Sequence, residues 1–255
     1  MASTPAKPTA TQYDDPRHNY REYWRGREYE NASEEIAIRR LLKGRHFARA
    51  ADVGGGFGRI SVLLTEYADD VTLAEPSSQQ LELAEGFLAG HPEIHRAQMQ
   101  ADSLDFADGS LDLVTMVRVM HHLPDPTGEL RELARVLAPA GTLVLEVANY
   151  GHARNRVKHL VRREPLPRDP VDIRSEERRR EGGIPFVNHN TRTVMAQLAA
   201  AGLPVERTLS VSNLRSQRLK RMLPESWMLA AEKALQPALA RARFGPSVFI
   251  LARKA

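Results

Sequence analysis

The spacing Asp52-x-Gly54-x-Gly56-x-Gly58, with Glu75 falling 21 residues after Gly54, is the part of this chain best suited to hold a nucleotide-like ligand. Glycines at such positions let a backbone turn tightly and let a ligand approach without meeting a Cβ. A carboxylate about 20 residues beyond the turn is where dinucleotide folds take ribose hydroxyls. The last glycine of G-x-G-x-x-G is replaced by Arg59, so a nicotinamide fingerprint fails there. A second group is Asp102-Ser103-Leu104, and a third is Arg118-Val119-Met120-His121-His122. Histidine changes charge near neutral pH, which makes His122 a candidate general base, to be weighed against packing at the start of the next helix. The chain has no cysteine, which excludes disulfides, thiol catalysis and thiolate metal sites. Adjacent histidines point in different directions and no carboxylate has ligand spacing with them, so no metal site is expected.

Taken together, Asp52-x-Gly54-x-Gly56-x-Gly58 and Glu75 resemble a class I S-adenosylmethionine-dependent methyltransferase of the small-molecule, methyltransferase domain 11-like type. Ala101-Asp102-Ser103-Leu104 followed by Leu111-Asp112-Leu113-Val114 is similar to the family's adenine-contacting acid and fourth strand. Leu137-Ala138-Pro139-Ala140-Gly141-Thr142-Leu143-Val144-Leu145 resembles the turn into its fifth strand. The resemblance covers about residues 45 to 150. It implies an enzyme that uses S-adenosylmethionine to methylate an O, N or C nucleophile of a small, acidic or lipid-like metabolite. It also implies cofactor contacts from Asp52, Gly54, Gly56, Glu75, Pro76, Asp102, Ser103, Leu104 and Arg118. Glu75 would take the ribose hydroxyls and Asp102 the exocyclic amine, with the amide of Ser103 or Leu104 facing the adenine ring. In the family the His122 position is commonly His or an aliphatic residue, which favours a structural role. The competing readings are a non-catalytic S-adenosylmethionine-binding module on the same fold and, more weakly, a nicotinamide oxidoreductase.

The elements that must position these groups follow from periodicity. Ala50–Val53 reads as a strand, and Ile60, Leu63, Leu64 and Tyr67 form one face of a helix after the turn. Val71–Glu75 is the next strand, and Ser77 or Ser78 caps a helix over 77–88. Ile94–Gln100 is a short strand, and Leu111–Val119 is the near-continuous apolar run of a central parallel strand. Asp125-Pro126 opens a helix with proline at its first position, and Thr142–Val147 is another buried strand. A helix over 194–201 stops at Gly202, and Val205–Ser212 and Ser247–Ala252 are the last strands. Alternating units of this kind give an α/β doubly wound sheet, and the resemblance implies a Rossmann-like sheet of about seven strands, mostly parallel with an antiparallel last strand, plus a helical or loop insertion over the pocket.

The expected organisation is an N-terminal tail and helical flap (1–44), a cofactor-binding core (45–150), a basic insertion (151–190) and a C-terminal completion of the sheet with an inserted helix (191–255). Residues 1–12 read as a disordered tail without a secretory apolar region, and no run approaches the roughly 20 apolar residues of a membrane span. A cytoplasmic protein is the expectation. Tyr13–Glu30 is rich in aromatics and arginines, either a helix packing its rings on the domain or a flap over the site. Residues 152–181 hold ten Lys or Arg against six Asp or Glu. That charge suits an acidic small molecule or an anionic lipid surface, or belongs to a solvated loop. Nucleic acid is disfavoured because acids are interspersed and no stacking aromatics accompany them. Leu214–Met228 mixes apolar and basic residues, and is expected to lid the domain, meet a second copy in a homodimer, or touch a membrane peripherally.

Overall fold

A computed structural model describes Trp24, residues 26–180 and residues 185–255. The expected tail and the tyrosines at 13, 20 and 23 lie outside the described residues.

The chain alternates helices and strands from Glu28 onward. Helix α1 (Glu28–Leu41) precedes β1 (Phe47–Val53), and α2 (Arg59–Leu64) follows the glycine turn. Then come β2 (Ala68–Ala74), α3 (Ser78–Phe87), β3 (Ile94–Ala97) and β4 (Leu111–Met116). A short 3-10 turn at Met120–His122 leads to α4 (Thr127–Val136) and β5 (Leu137–Ala148). The sheet order is β3-β2-β1-β4-β5, continued by β9 (Ser247–Arg253) and β8 (Val205–Val211). All neighbours through β5 are parallel, and β9 runs antiparallel to both β5 and β8. The sheet is therefore doubly wound, as the periodicity implied, and seven-stranded with an antiparallel last strand, as the resemblance implied.

Burial explains the order. Leu113, Val114, Leu143, Val144 and Leu145 are fully buried, so β4 and β5 are apolar on both faces and must lie in the middle. One apolar cluster packs β4, β5 and α4, and a second packs α1, α2, β2 and Phe249 on the other face. Local signals set the boundaries. Ser77 caps α3 by accepting from the Gln80 amide, and Gly202 leaves α7 (Thr191–Ala200) with φ of 79°.

Three expectations shift in detail. Strand β4 ends at Met116, because residues 117–119 leave the sheet toward the 3-10 turn. Pro126 stands at the cap of α4 rather than inside its first turn. Strand β5 starts five residues early, with a register irregularity against β4 between Leu111 and Leu113. The insertion is also more ordered than a charged loop. It contains α5 (Ala153–Arg162), a two-residue β6 (Val171–Asp172) paired with β7 (Val187–Asn188), and α6 (Glu176–Arg180). Between β8 and β9 lie α8 (Gln217–Met222) and α9 (Glu225–Ala238).

Candidate functional site

The order β2-β1-β4 reverses direction at β1, and ligands of such sheets sit outside the carboxyl ends of the strands at that switch. The groups singled out from sequence gather there. Gly54 donates its amide to the Ala74 carbonyl at 2.7 Å, which lays the glycine turn across the end of β2. Gly54 has a φ of 69°, and a Cβ there would meet Val119 Cγ2 at 2.3 Å. Only glycine lets the segment after β4 approach the turn so closely.

Glu75 is buried at the end of β2 and joins the two motifs physically. Its Oε2 accepts from the Gly56 amide at 2.8 Å, and its Oε1 accepts from the Ser77 amide at 3.0 Å. A carboxylate accepts about four hydrogen bonds, so these amides orient it for further acceptance. Pro76 offers its carbonyl to the Gln98 side chain, which ties the loop after β3 to this corner. The Met99 amide donates to the Glu75 carbonyl and places the Asp102 turn beside the same edge.

Asp52 lies under the turn. Its Oδ2 accepts from the Ser61 hydroxyl and its Oδ1 from the Thr115 hydroxyl, both at 2.8 Å. Complete burial raises its pKa, opposed by those hydroxyls. A Cβ on Gly55 would meet Asp52 Oδ2 at 2.4 Å, so the acid braces the turn from below. Its carboxylate thus ties β1, α2 and β4 together, a supporting part in the site.

The adenine-side expectation needs one correction. The Ser103 amide donates to the Gln100 carbonyl and the Leu104 amide to Glu132 Oε1, so both amides turn into the protein. What this loop presents is the half-buried Asp102. The loop is held by Arg135, which bonds the carbonyls of Leu104 and Phe106 and the carboxylates of Asp108 and Glu132.

Arg118 also differs from expectation. It has a left-handed φ of 59°, a strained setting for a non-glycine residue. Its amide donates to Glu146, and its guanidinium bonds Glu34 Oε1 from α1 at 2.7 Å. Glu34 Oε2 takes Arg59 at 2.7 Å, so one buried carboxylate bridges the turn after β1 and the turn after β4. Trp24 completes this group, with Arg59 at 4.1 Å and Arg118 at 4.9 Å from its ring. The side chain of Arg118 is therefore directed to Glu34 and Trp24.

At the turn after β4, His122 Nδ1 lies 3.1 Å from the Pro185 carbonyl, and His121 packs 4.0 Å from His122 and 4.4 Å from Phe186. His189 Nε2 lies 2.8 Å from the Met120 carbonyl. Burial lowers the pKa of all three histidines, His121 most, with His122 and Arg118 adding repulsion there. They are neutral near pH 7. The carbonyl of Pro185 favours Nδ1–H on His122, a tautomer whose Nε2 is the basic nitrogen. Phe186, His189, Glu34 and Glu146 were missed from sequence. Nothing distinguishes Glu34 from surface glutamates in its helix, and Phe186 and His189 are lone residues at the end of a charged insertion.

No group of three or more metal-ligating side chains occurs among the described residues. The fold is that of solved S-adenosylmethionine-dependent methyltransferases, and residues 51–145 match the methyltransferase domain family. The chain is 29% identical over 128 residues to an uncharacterised methyltransferase, YcgJ, of Bacillus subtilis, covering 49% of this chain and 50% of that one. It is 33% identical over 104 residues to the ubiquinone biosynthesis O-methyltransferase of Xanthomonas oryzae pv. oryzae, covering 40% and 44%. The chain thus spans about half the length of the curated relatives it matches. The structure of an S-adenosylmethionine-dependent methyltransferase from Mesorhizobium loti superposes with a TM-score of 0.60 at 19% identity, covering 89% of this chain and 100% of that one.

The cofactor implied is S-adenosylmethionine. The donor set suits it: a turn that a Cβ would fill, a buried two-oxygen acid bonded to that turn, and Asp102 beyond.

Proposed function

We propose that this protein transfers the methyl group of S-adenosylmethionine to a nucleophile on a small, acidic or amphiphilic molecule. The observation that carries the reading is the bond from the Gly56 amide to Glu75, which makes the glycine turn and the acid one site. When bound, the cofactor supplies an electrophilic methyl on a sulfonium. Glu75 accepts from the ribose hydroxyls and Asp102 from the adenine amine. Gly54 and Gly56 allow close approach of the backbone.

The protein's remaining work is to hold the acceptor in line and exclude water, which is worth several kcal/mol through proximity. The turn at His121–His122 and Phe186 form the acceptor side. An oxygen nucleophile is supported by the name of the Xanthomonas relative. Such a nucleophile loses a proton, and neutral His122 is the group we assign to accept it. Because the sulfonium needs little assistance, His122→Ala is expected to keep measurable turnover. A loss beyond about 10⁴-fold with cofactor still bound makes His122 an essential base instead.

The reading is tested by mass spectrometry of the purified protein for retained cofactor, followed by incubation with methyl-labelled cofactor and a metabolite extract. Label in a low-mass product is expected. Label confined to protein or nucleic acid contradicts a small-molecule acceptor.

A further inference from the structure

The insertion after β5 has a surface that the cofactor site does not use. Helix α5 buries none of its residues. Its Val157, Leu160 and Val161 are 61%, 77% and 78% exposed, and at i, i+3 and i+4 they make one stripe. Arg154, Lys158 and Arg162 follow along the same helix, all exposed. The opposite side is tied down: Asn155 donates to the Tyr150 carbonyl and Arg156 to the Gly151 carbonyl. The stripe therefore faces outward.

The charges beside it lack compensation. Among the described residues no carboxylate lies within 4.0 Å of Arg154, Lys158 or Arg162, nor of Arg156. Two more arginines are brought to the base of the helix. The Ala153 amide donates to the Phe244 carbonyl, next to Arg243, and Asn149 joins the Arg243 carbonyl to the Thr191 hydroxyl, next to Arg192. Burial and repulsion from Arg192 lower the pKa of both Arg156 and Arg243. Phe244 is itself exposed at this corner.

The position is informative as well. Ala148 of β5 pairs with Ser247 of β9, so α5 and Phe244 both lie at the carboxyl rim of the parallel strands, the rim that carries the candidate site. A large apolar stripe bordered by uncompensated cations is the pattern of a helix lying in a lipid interface, where apolar burial and attraction to anionic headgroups add. A second copy of the chain fits poorly. A two-fold contact through this stripe would set Arg154, Lys158 and Arg162 against their own equivalents.

We propose that the outward face of α5 docks this protein on an anionic phospholipid surface, with the arginines at its base receiving headgroup phosphate. The claim does not depend on methyl transfer, since vesicle binding requires neither cofactor nor acceptor.

The test is co-sedimentation of the full chain with vesicles of phosphatidylcholine alone or with about one third phosphatidylglycerol. Binding to the anionic vesicles, weak binding to the neutral ones, and release as salt rises from about 0.1 M to about 1 M are expected. V157S/L160S/V161S is expected to lower the partition coefficient by about tenfold or more, and R154E/K158E/R162E by about a hundredfold. Both sets are exposed, and an unchanged melting temperature confirms that the variants fold. Failure of wild type to bind anionic vesicles overturns the proposal, as does equal binding by V157S/L160S/V161S. A solution dimer lost in V157S/L160S/V161S makes the occupant a second copy and also overturns the docking.

Discussion

Around the strand ends, Arg59 and Arg118 share one buried carboxylate, Glu34, and Arg135 is held by Glu132 and Asp108. On α5, Arg154, Lys158 and Arg162 stand in solvent beside exposed Val157, Leu160 and Val161. The two regions differ in what their charges are for. In the first, charge is matched inside the protein, so each group is fixed relative to β1 and β4 before any ligand arrives, and preorganisation of that kind is what a cofactor site needs. In the second, the charge is left for something outside the chain. The net charge of +4 hides this division. Residues 152–181 and 213–223 each carry an excess of four positive charges, so the remainder of the chain is net negative by four.

Removing a carboxylate from each region sharpens the contrast. Glu34→Ala leaves two largely buried guanidinium groups without their shared partner, and a loss of about 3–5 kcal/mol is expected in urea unfolding. A loss below about 1 kcal/mol would show that Trp24 and neighbouring groups, not the ion pairs, hold the two turns together.

A smaller effect is expected from acid. His121, His122 and His189 have pKa values lowered by burial from the ordinary 6.5. The unfolded chain therefore binds protons below about pH 6.5 that the folded chain does not, and stability falls as the pH drops from 7 toward 5. His121→Phe keeps the packing on Phe186 and should flatten that slope, read as the urea midpoint against pH. An unchanged slope would place the acid sensitivity elsewhere, though not on buried Asp52, Glu146 and Glu232, whose raised pKa values drive stability in the opposite direction.

The least effect is expected where a pair is exposed. Arg180 and Glu176 on α6 are 83% and 79% exposed at 3.7 Å, and Glu176→Ala should leave the melting temperature unmoved. A clear fall would mean that the insertion is held more tightly than its exposure implies.

What could be read from the sequence follows the same line between regions. The sheet was legible because apolar runs such as Leu111–Val119 and Thr142–Val147 and the caps at Ser77 and Gly202 act through local chemistry. Glu75 was legible because its distance from the glycine turn is set by one helix and one strand. Glu34 was not, because its partners lie 25 and 84 residues away and nothing local marks it as buried. The same holds for Tyr29, whose hydroxyl donates to the buried Glu232 at 2.8 Å across 203 residues. The inward turn of the Leu104 amide depended on Glu132, another partner remote in sequence. Residues 152–181 showed their charge but not α5, because a helix that buries nothing has its apolar stripe outside, where the expectation of a core-facing pattern does not apply.

The central claim, that the glycine turn and Glu75 form one S-adenosylmethionine site, is tested most directly by calorimetric titration of wild type and Glu75→Ala with S-adenosylmethionine. Wild type is expected to bind in the region of about 10⁻⁶ to 10⁻⁴ M, and Glu75→Ala to lose about 2–4 kcal/mol, with Glu75→Gln between them because its carbonyl still accepts. A folded Glu75→Ala variant that binds the cofactor as tightly as wild type would contradict the account.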